Sequence, residues 1–195
     1  CGMCNSLWSG PEYGLDTISV DVYQAIYEAT DHLIRQNHKK IAYLAGEKGI
    51  EVYRQRYRAY RQALEDNGIE YRDDWVFYSG YTEEDGYKAG KQLLSMKERP
   101  TAVCASNDLQ AIGFWRAARD SKISVPDEIA LIGLDNLRIS QMLDISSINM
   151  FEDIIGRIAA ERLFGWMDET REAGGAITHS VTIKPELIAR GSTGR

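Results

Sequence analysis

The sequence predicts an α/β fold: a doubly wound parallel sheet accompanied by part of a second unit. Three observations predict it. Short β-branched runs alternate with amphipathic segments of helical period, five such strand-helix units follow one another with four crossovers, and the rhythm changes beyond Asp135. A barrel would need eight units.

Thr17 to Asp21 reads as the first strand, and Tyr23 to Gln36 as a helix with an apolar stripe through Ala25, Ile26, Ala29, Leu33 and Ile34, stopped by Asn37 as a left-handed cap. Lys40 to Ala45 is the second strand, and Tyr53 to Asp66 the second helix, ending in Asn67-Gly68. Trp75 to Tyr78, Glu83 to Met96, Thr101 to Ala105 and Asn107 to Asp120 continue the alternation, and Val125-Pro126-Asp127 turns the chain into Ile129 to Leu134, the most apolar strand. After Asp135 come a short strand, Ser146 to Asn149, a helix, Asp153 to Met167, and a polar loop, Thr170 to Gly175. Thr178 to Leu187 alternates in polarity, as a half-exposed antiparallel edge strand does.

The 195 residues exceed one typical domain and fall short of two full ones, which fits one core plus a fragment of a second. A hydrophobic share of 44% mixed with 27% charged residues is the composition of a globular protein with a sizeable core. The net charge of -6 argues against this part touching DNA, since binding phosphate backbones needs a basic face. No apolar run reaches a membrane span, and the first residues lack the pattern of a signal peptide, so a cytoplasmic location is expected. Three cysteines suit a reducing compartment; Cys1 and Cys4 have CxxC spacing but no second pair, so neither a metal site nor any cofactor is expected.

Ligands of open α/β sheets bind outside the carboxyl ends of the strands. The residues there are polar: Asp21, the loop Gly46 to Arg56, Tyr81, Ser106-Asn107-Asp108 and Asp135-Asn136. Carboxylates and an amide can engage vicinal hydroxyls, a guanidinium can span two of them, and an aromatic face can cover a sugar ring. Each also has a plainer reading. Asp21 and Asn107 stand where helix N-caps belong, Arg54, Arg56 and Arg58 lie on a charge-rich helix, and Tyr81 follows a loop glycine. Asp135 is the strongest single candidate, because an acidic group ending so apolar a strand must face a cleft or a partner. No GxSxG elbow, phosphate loop or GxGxxG fingerprint is present, so an enzyme is not expected.

Several stretches, in colinear order, resemble the effector-binding domain of the lactose-repressor (LacI/GalR) family of transcriptional regulators. They are Ile18-Ser-Val-Asp21; Ala29-Thr-Asp-His-Leu-Ile34 with His38 and Lys40-Ile-Ala-Tyr-Leu-Ala-Gly46; Arg99-Pro-Thr-Ala-Val-Cys-Ala-Ser-Asn-Asp108 with Ala111-Ile-Gly113; Val125-Pro-Asp-Glu-Ile129 leading to Ile132-Gly-Leu-Asp-Asn136; and Leu187-Ile-Ala-Arg-Gly-Ser-Thr193. The resemblance implies a periplasmic-binding-protein-like fold. It also implies ligand residues at Arg56, Tyr81, Asn107 and Asp135, with Asp21 and Phe151 lining the same cleft. Ala25 and Ile26, Asn37 and Met150 stand where the family usually has glycines, a glycine and a polar residue.

By the same resemblance, residues 1–15 are a remnant of an amino-terminal lobe and 16–145 the carboxyl-terminal lobe. Residues 146–176 are an excursion back into the first lobe, and 177–195 a returning strand. The expected function is sensing of a carbohydrate effector, possibly a galactoside, in the interlobe cleft of a homodimer. DNA would be bound through an amino-terminal helix-turn-helix domain that is not in this sequence, and no membrane is involved. The alternative is the periplasmic sugar-binding protein of a transporter, which shares the fold.

Overall fold

The computed structural model describes residues 3–4, 16–168 and 180–194. In chain order the elements are β1 (Met3–Cys4), β2 (Thr17–Val20), α1 (Val22–Arg35), β3 (Ile41–Ala45), α2 (Glu51–Asp66), β4 (Val76–Tyr78), α3 (Glu83–Leu94), β5 (Ala102–Ala105) and α4 (Asp108–Asp120), followed by β6 (Ala130–Ile132), α5 (Arg138–Met142), β7 (Ser147–Asn149), α6 (Glu152–Asp168), β8 (Ser180–Ile183) and β9 (Glu186–Ile188). They fall into two compact units, one of residues 1–21 with 150–185 and one of 22–149 with 186–195.

The larger unit holds a parallel sheet in the order β4-β3-β5-β6. Its strands are buried along β3, β5 and β6 because helices cover both faces. Right-handed crossovers place α2, which steps from β3 out to β4, on one face, and α3 and α4, which step the other way, on the opposite face. The packing agrees: α1 lies against α2, and α3 against α4. The chain therefore reverses direction between β3 and β5, and their carboxyl ends flank the topological switch point, where such sheets bind ligands.

The core between the sheet and the α3–α4 layer is built from Leu44, Leu93, Val103, Phe114, Ile129, Leu131 and their neighbours. Fully burying each aliphatic side chain contributes about 1.5–3 kcal/mol before entropy is charged against it. Helices α3 and α4 approach so closely that a methyl group on Gly113 would overlap the Glu83 carbonyl, and one on Gly86 the Gln110 backbone. On the other face Tyr43 and Tyr60 stack at 4.8 Å, and the Tyr60 hydroxyl donates to the Ile41 carbonyl at 2.7 Å. Asn37 ends α1 in the left-handed region expected of it, at φ 67.

Three expectations are corrected. Thr17–Val20 does not head the main sheet; it pairs in parallel with Met3–Cys4 and Ser180–Ile183 in the smaller unit, where Thr17 Oγ1 donates to Ser180 Oγ at 2.8 Å. The main sheet thus has four strands in its parallel run. The stretch from Thr178 to Leu187 is not one antiparallel edge strand: it breaks at Lys184-Pro185, because proline cannot continue the ladder, into β8, parallel to β2, and β9, antiparallel to β7. The short helix α5 follows Asn136 where no element was expected. By their contacts, the two units divide at 21/22, 149/150 and 185/186. The loop from Thr170 to Gly175 and most of 1–15 lie outside the described residues.

Strand β7 nonetheless extends the main sheet. Ser146 bridges Ile132 in parallel, and Asp135 N donates to the Ile148 carbonyl at 2.9 Å. Asp135 and Asn136 both take positive φ, 113 and 54, in the turn that follows.

Candidate functional site

Arg56, Tyr81, Asn107 and Asp135 all lie in the larger unit, beyond the carboxyl ends of its strands. Arg56, on the second turn of α2, donates Nη1 to the Ser106 carbonyl at 2.6 Å and so reaches from the β3 side of the switch point to the loop after β5. Its Nε is buried and finds no hydrogen-bond partner among the described residues. A guanidinium has five N–H donors, and the bond to Ser106 uses one of them.

Asn107 is the N-cap of α4: its Oδ1 accepts from Gln110 N at 2.8 Å. The plainer reading of Asn107 is therefore correct as far as it goes. The same amide donates Nδ2 to the Tyr81 carbonyl at 3.0 Å, which uses one of its two hydrogens and fixes the loop that carries Tyr81. Tyr81 is 55% exposed. By contrast Arg54 pairs with Glu51 on the exposed face of α2 and is a solvated arginine, as is Arg58.

Tyr53 sits among these residues, and the sequence did not single it out. Burial raises its pKa; the Arg56 charge opposes this, while Asp135, Tyr81 and Glu47 reinforce it, so Tyr53 lies within electrostatic reach of all four. Its ring lies directly on Gly46, where a methyl group would overlap it. A neighbouring cavity of about 240 Å³ is lined by Gly46, Lys48, Tyr53, Tyr57 and Tyr78, with Lys48 Nζ 4.1 Å from the centre of the Tyr78 ring.

Two buried polar residues of α4 build the site from beneath: Asp108, which the strand-end pattern includes, and Gln110, which it does not. Asp108 accepts from Leu137 N and Ser147 Oγ, both at 2.7 Å, and so anchors the turn after Asp135; burial raises its pKa against these hydrogen bonds. Gln110, fully buried, reaches the ends of three strands. A polar residue inside the apolar stripe formed by Ala111, Phe114, Ala117 and Ala118 was the signal that could have found it.

Asp21 and Phe151 belong to the smaller unit. Asp21 is exposed, and its N donates to the Ile183 carbonyl at 3.3 Å. Phe151 is half-buried at φ 52, and its carbonyl accepts from Ile155 N at 3.0 Å in the first turn of α6. Positive φ costs an aromatic residue of order 1 kcal/mol or more, and such strain recurs at ligand sites. Among the described residues no group of three or more His, Cys, Asp or Glu is placed to hold a metal ion, and no helix is long and apolar enough to cross a membrane.

Residues 30–193 match the model of the periplasmic binding protein-like domain. The HTH-type transcriptional repressor PurR of Mannheimia succiniciproducens is 32% identical over 187 residues, which are 95% of this chain and 55% of that protein. Among solved structures, the complex of the transcriptional regulator CelR with cellobiose superposes with a TM-score of 0.79 at 27% identity, over 96% of this chain and 57% of that one. A regulatory protein of the LacI family from Chloroflexus aggregans gives a TM-score of 0.82 at 25% identity, over 98% and 66%. The chain spans about half the length of the curated relatives it matches, 55% of the PurR sequence. It belongs to the periplasmic binding protein-like domain family, in the form carried by LacI-type transcriptional regulators.

Proposed function

We propose that this chain is the effector-sensing part of a DNA-binding transcriptional regulator and that its effector is a sugar. One observation carries the reading: Arg56 is anchored across the switch point by a hydrogen bond to the Ser106 carbonyl, with its guanidinium carbon 5.6 Å from the centre of the Tyr53 ring. A planar fork of donors, a carboxylate and exposed aromatic rings are complementary to vicinal hydroxyls and the apolar face of a pyranose. The cellobiose complex of CelR supports a sugar as the class. The tyrosine-rich Tyr53–Tyr57 stretch makes galactosides the first sugars to test.

Asn107 acts chiefly by holding Tyr81, with one Nδ2 hydrogen left for the ligand. The role is non-catalytic: binding shifts the population between conformations that differ in DNA affinity, and DNA is held through a separate domain of the full-length protein. The working form is a cytoplasmic homodimer. A dimer contact is supported by Leu109, Ile139 and Met142, which leave large apolar surface exposed; the Asp108–Leu137 hydrogen bond holds α5 beside the start of α4.

Isothermal titration of the full-length protein against galactosides, glucosides, pentoses and purines tests the reading. Heat with at least one sugar is expected; heat with purines alone, or with none of the panel, contradicts it.

A further inference from the structure

We infer that Gln110 is a positioning residue that locks Arg56 and Tyr81 into one geometry, an inference that rests on reading those two side chains as effector contacts. Gln110 has no exposed surface. Its Oε1 accepts from Ser106 Oγ at 2.6 Å. Its Nε2 lies 2.7 Å from the Gly80 carbonyl, 3.1 Å from the Ala45 carbonyl and 3.2 Å from Ser79 Oγ. An amide nitrogen has two hydrogens, and the two carbonyls suffice to take them, with the Ser79 hydroxyl in reach as a third acceptor.

Ala45 ends β3, Gly80 follows β4 and Ser106 follows β5, so one buried amide fastens three strand ends. Two closed paths result. From Arg56 the path runs through the Ser106 carbonyl, the Ser106 hydroxyl and the Gln110 amide to Gly80, the residue before Tyr81. From the Tyr81 carbonyl it returns through the Asn107 amide to the backbone N of Gln110 itself.

Packing alone does not account for an amide here. A methionine fills nearly the same volume, whereas burying an amide is unfavourable unless its hydrogen bonds are made. All of them are made to the loops that carry the site. Tyr81 is more than half exposed, and the hydrogen bonds to the Gly80 and Tyr81 carbonyls hold the backbone that carries it.

The test uses the full-length protein with Gln110→Met and Gln110→Glu. Hydrogen–deuterium exchange without ligand is expected to quicken about tenfold or more at residues 79–82 and 106–107 in Gln110→Met, while the far ends of α3 and α4 stay protected. Gln110→Glu keeps the acceptor for Ser106 and loses the donor to Gly80, so loosening confined to 79–82 is expected. It also decides the matter if the methionine variant fails to fold. Titration with methyl β-galactoside and cellobiose is expected to weaken about tenfold in Gln110→Met and by clearly less than that when Tyr81→Ala is already present, the remainder being the part that acts through Arg56. Unchanged exchange at 79–82, or losses from Gln110→Met and Tyr81→Ala that add in full, would overturn the inference. If neither sugar binds the unaltered protein, the exchange result alone decides the positioning role, and the effector reading is decided by the wider panel.

Discussion

Arg56 and Ser106 are joined at 2.6 Å across the switch point of the larger sheet, side chain to carbonyl. The bond holds one edge of the guanidinium against the loop after β5. It also makes the loop after β5 part of the same surface as α2. A lysine could not do both, since its ammonium offers no planar fork.

Tyr81 is the simplest residue to probe. Because Tyr81 is more than half exposed, Tyr81→Ala is expected to leave the melting temperature within about 2 °C while weakening sugar binding about tenfold. Tyr81→Phe should bind almost as the unaltered protein does if the ring face is the contact. Calorimetric titration of both variants separates a stacking role from a hydroxyl role.

Asn107 has two duties that substitution can separate. Asn107→Ala removes the cap of α4 and orphans the Tyr81 carbonyl, and a loss of about 1–2 kcal/mol in urea unfolding is expected. Asn107→Asp keeps a capping oxygen but not the donor. It should recover most of the stability while losing sugar affinity as the alanine variant does.

Helix approach was hidden from the sequence, and Gly113 tests it. Gly113→Ala would drive a methyl into the Glu83 carbonyl, and a destabilisation of about 1–3 kcal/mol is expected. Gly156 in α6 has nothing within 4 Å of the same added atom, and Gly156→Ala there should be neutral or stabilising by up to about 1 kcal/mol. Paired urea titrations check both.

Glu98 supplies a pH signature at the opposite end of the sheet. Hydrogen bonds from Lys40 and Arg72, at 2.9 and 2.7 Å, pull its carboxyl down to about 2. A carboxylate whose folded pKa is depressed contributes stability above its unfolded value of 4.5, and that contribution is lost as pH falls through about 2. NMR titration should find the Glu98 midpoint near 2 in the unaltered chain and shifted up toward 4.5 in Lys40→Met.

Much of this was legible before any coordinates. The helices α1 to α4 and strands β3 to β5 fall within two residues of their expected bounds, because apolar period and cap residues are local signals. Local period does not say which sheet a strand joins, and so Thr17–Val20 was misplaced. The alternation from Thr178 to Leu187 also outweighed the stop signal of Pro185. Strand-end polarity located Arg56, Tyr81, Asn107 and Asp135 in one region, since the topology forces those ends together. Tyr53 and Gln110 escaped because their roles depend on Gly46 lying under a ring and on one buried amide reaching three loops, which are contacts of the folded chain alone.

The central claim is that Arg56 is a sugar contact held ready by Ser106, and titration of full-length Arg56→Ala with the sugar that binds the unaltered protein tests it most directly. A loss of affinity of about a hundredfold with the melting temperature nearly unchanged is the predicted result. Undiminished binding by that variant, or a loss matched by general unfolding, would contradict it.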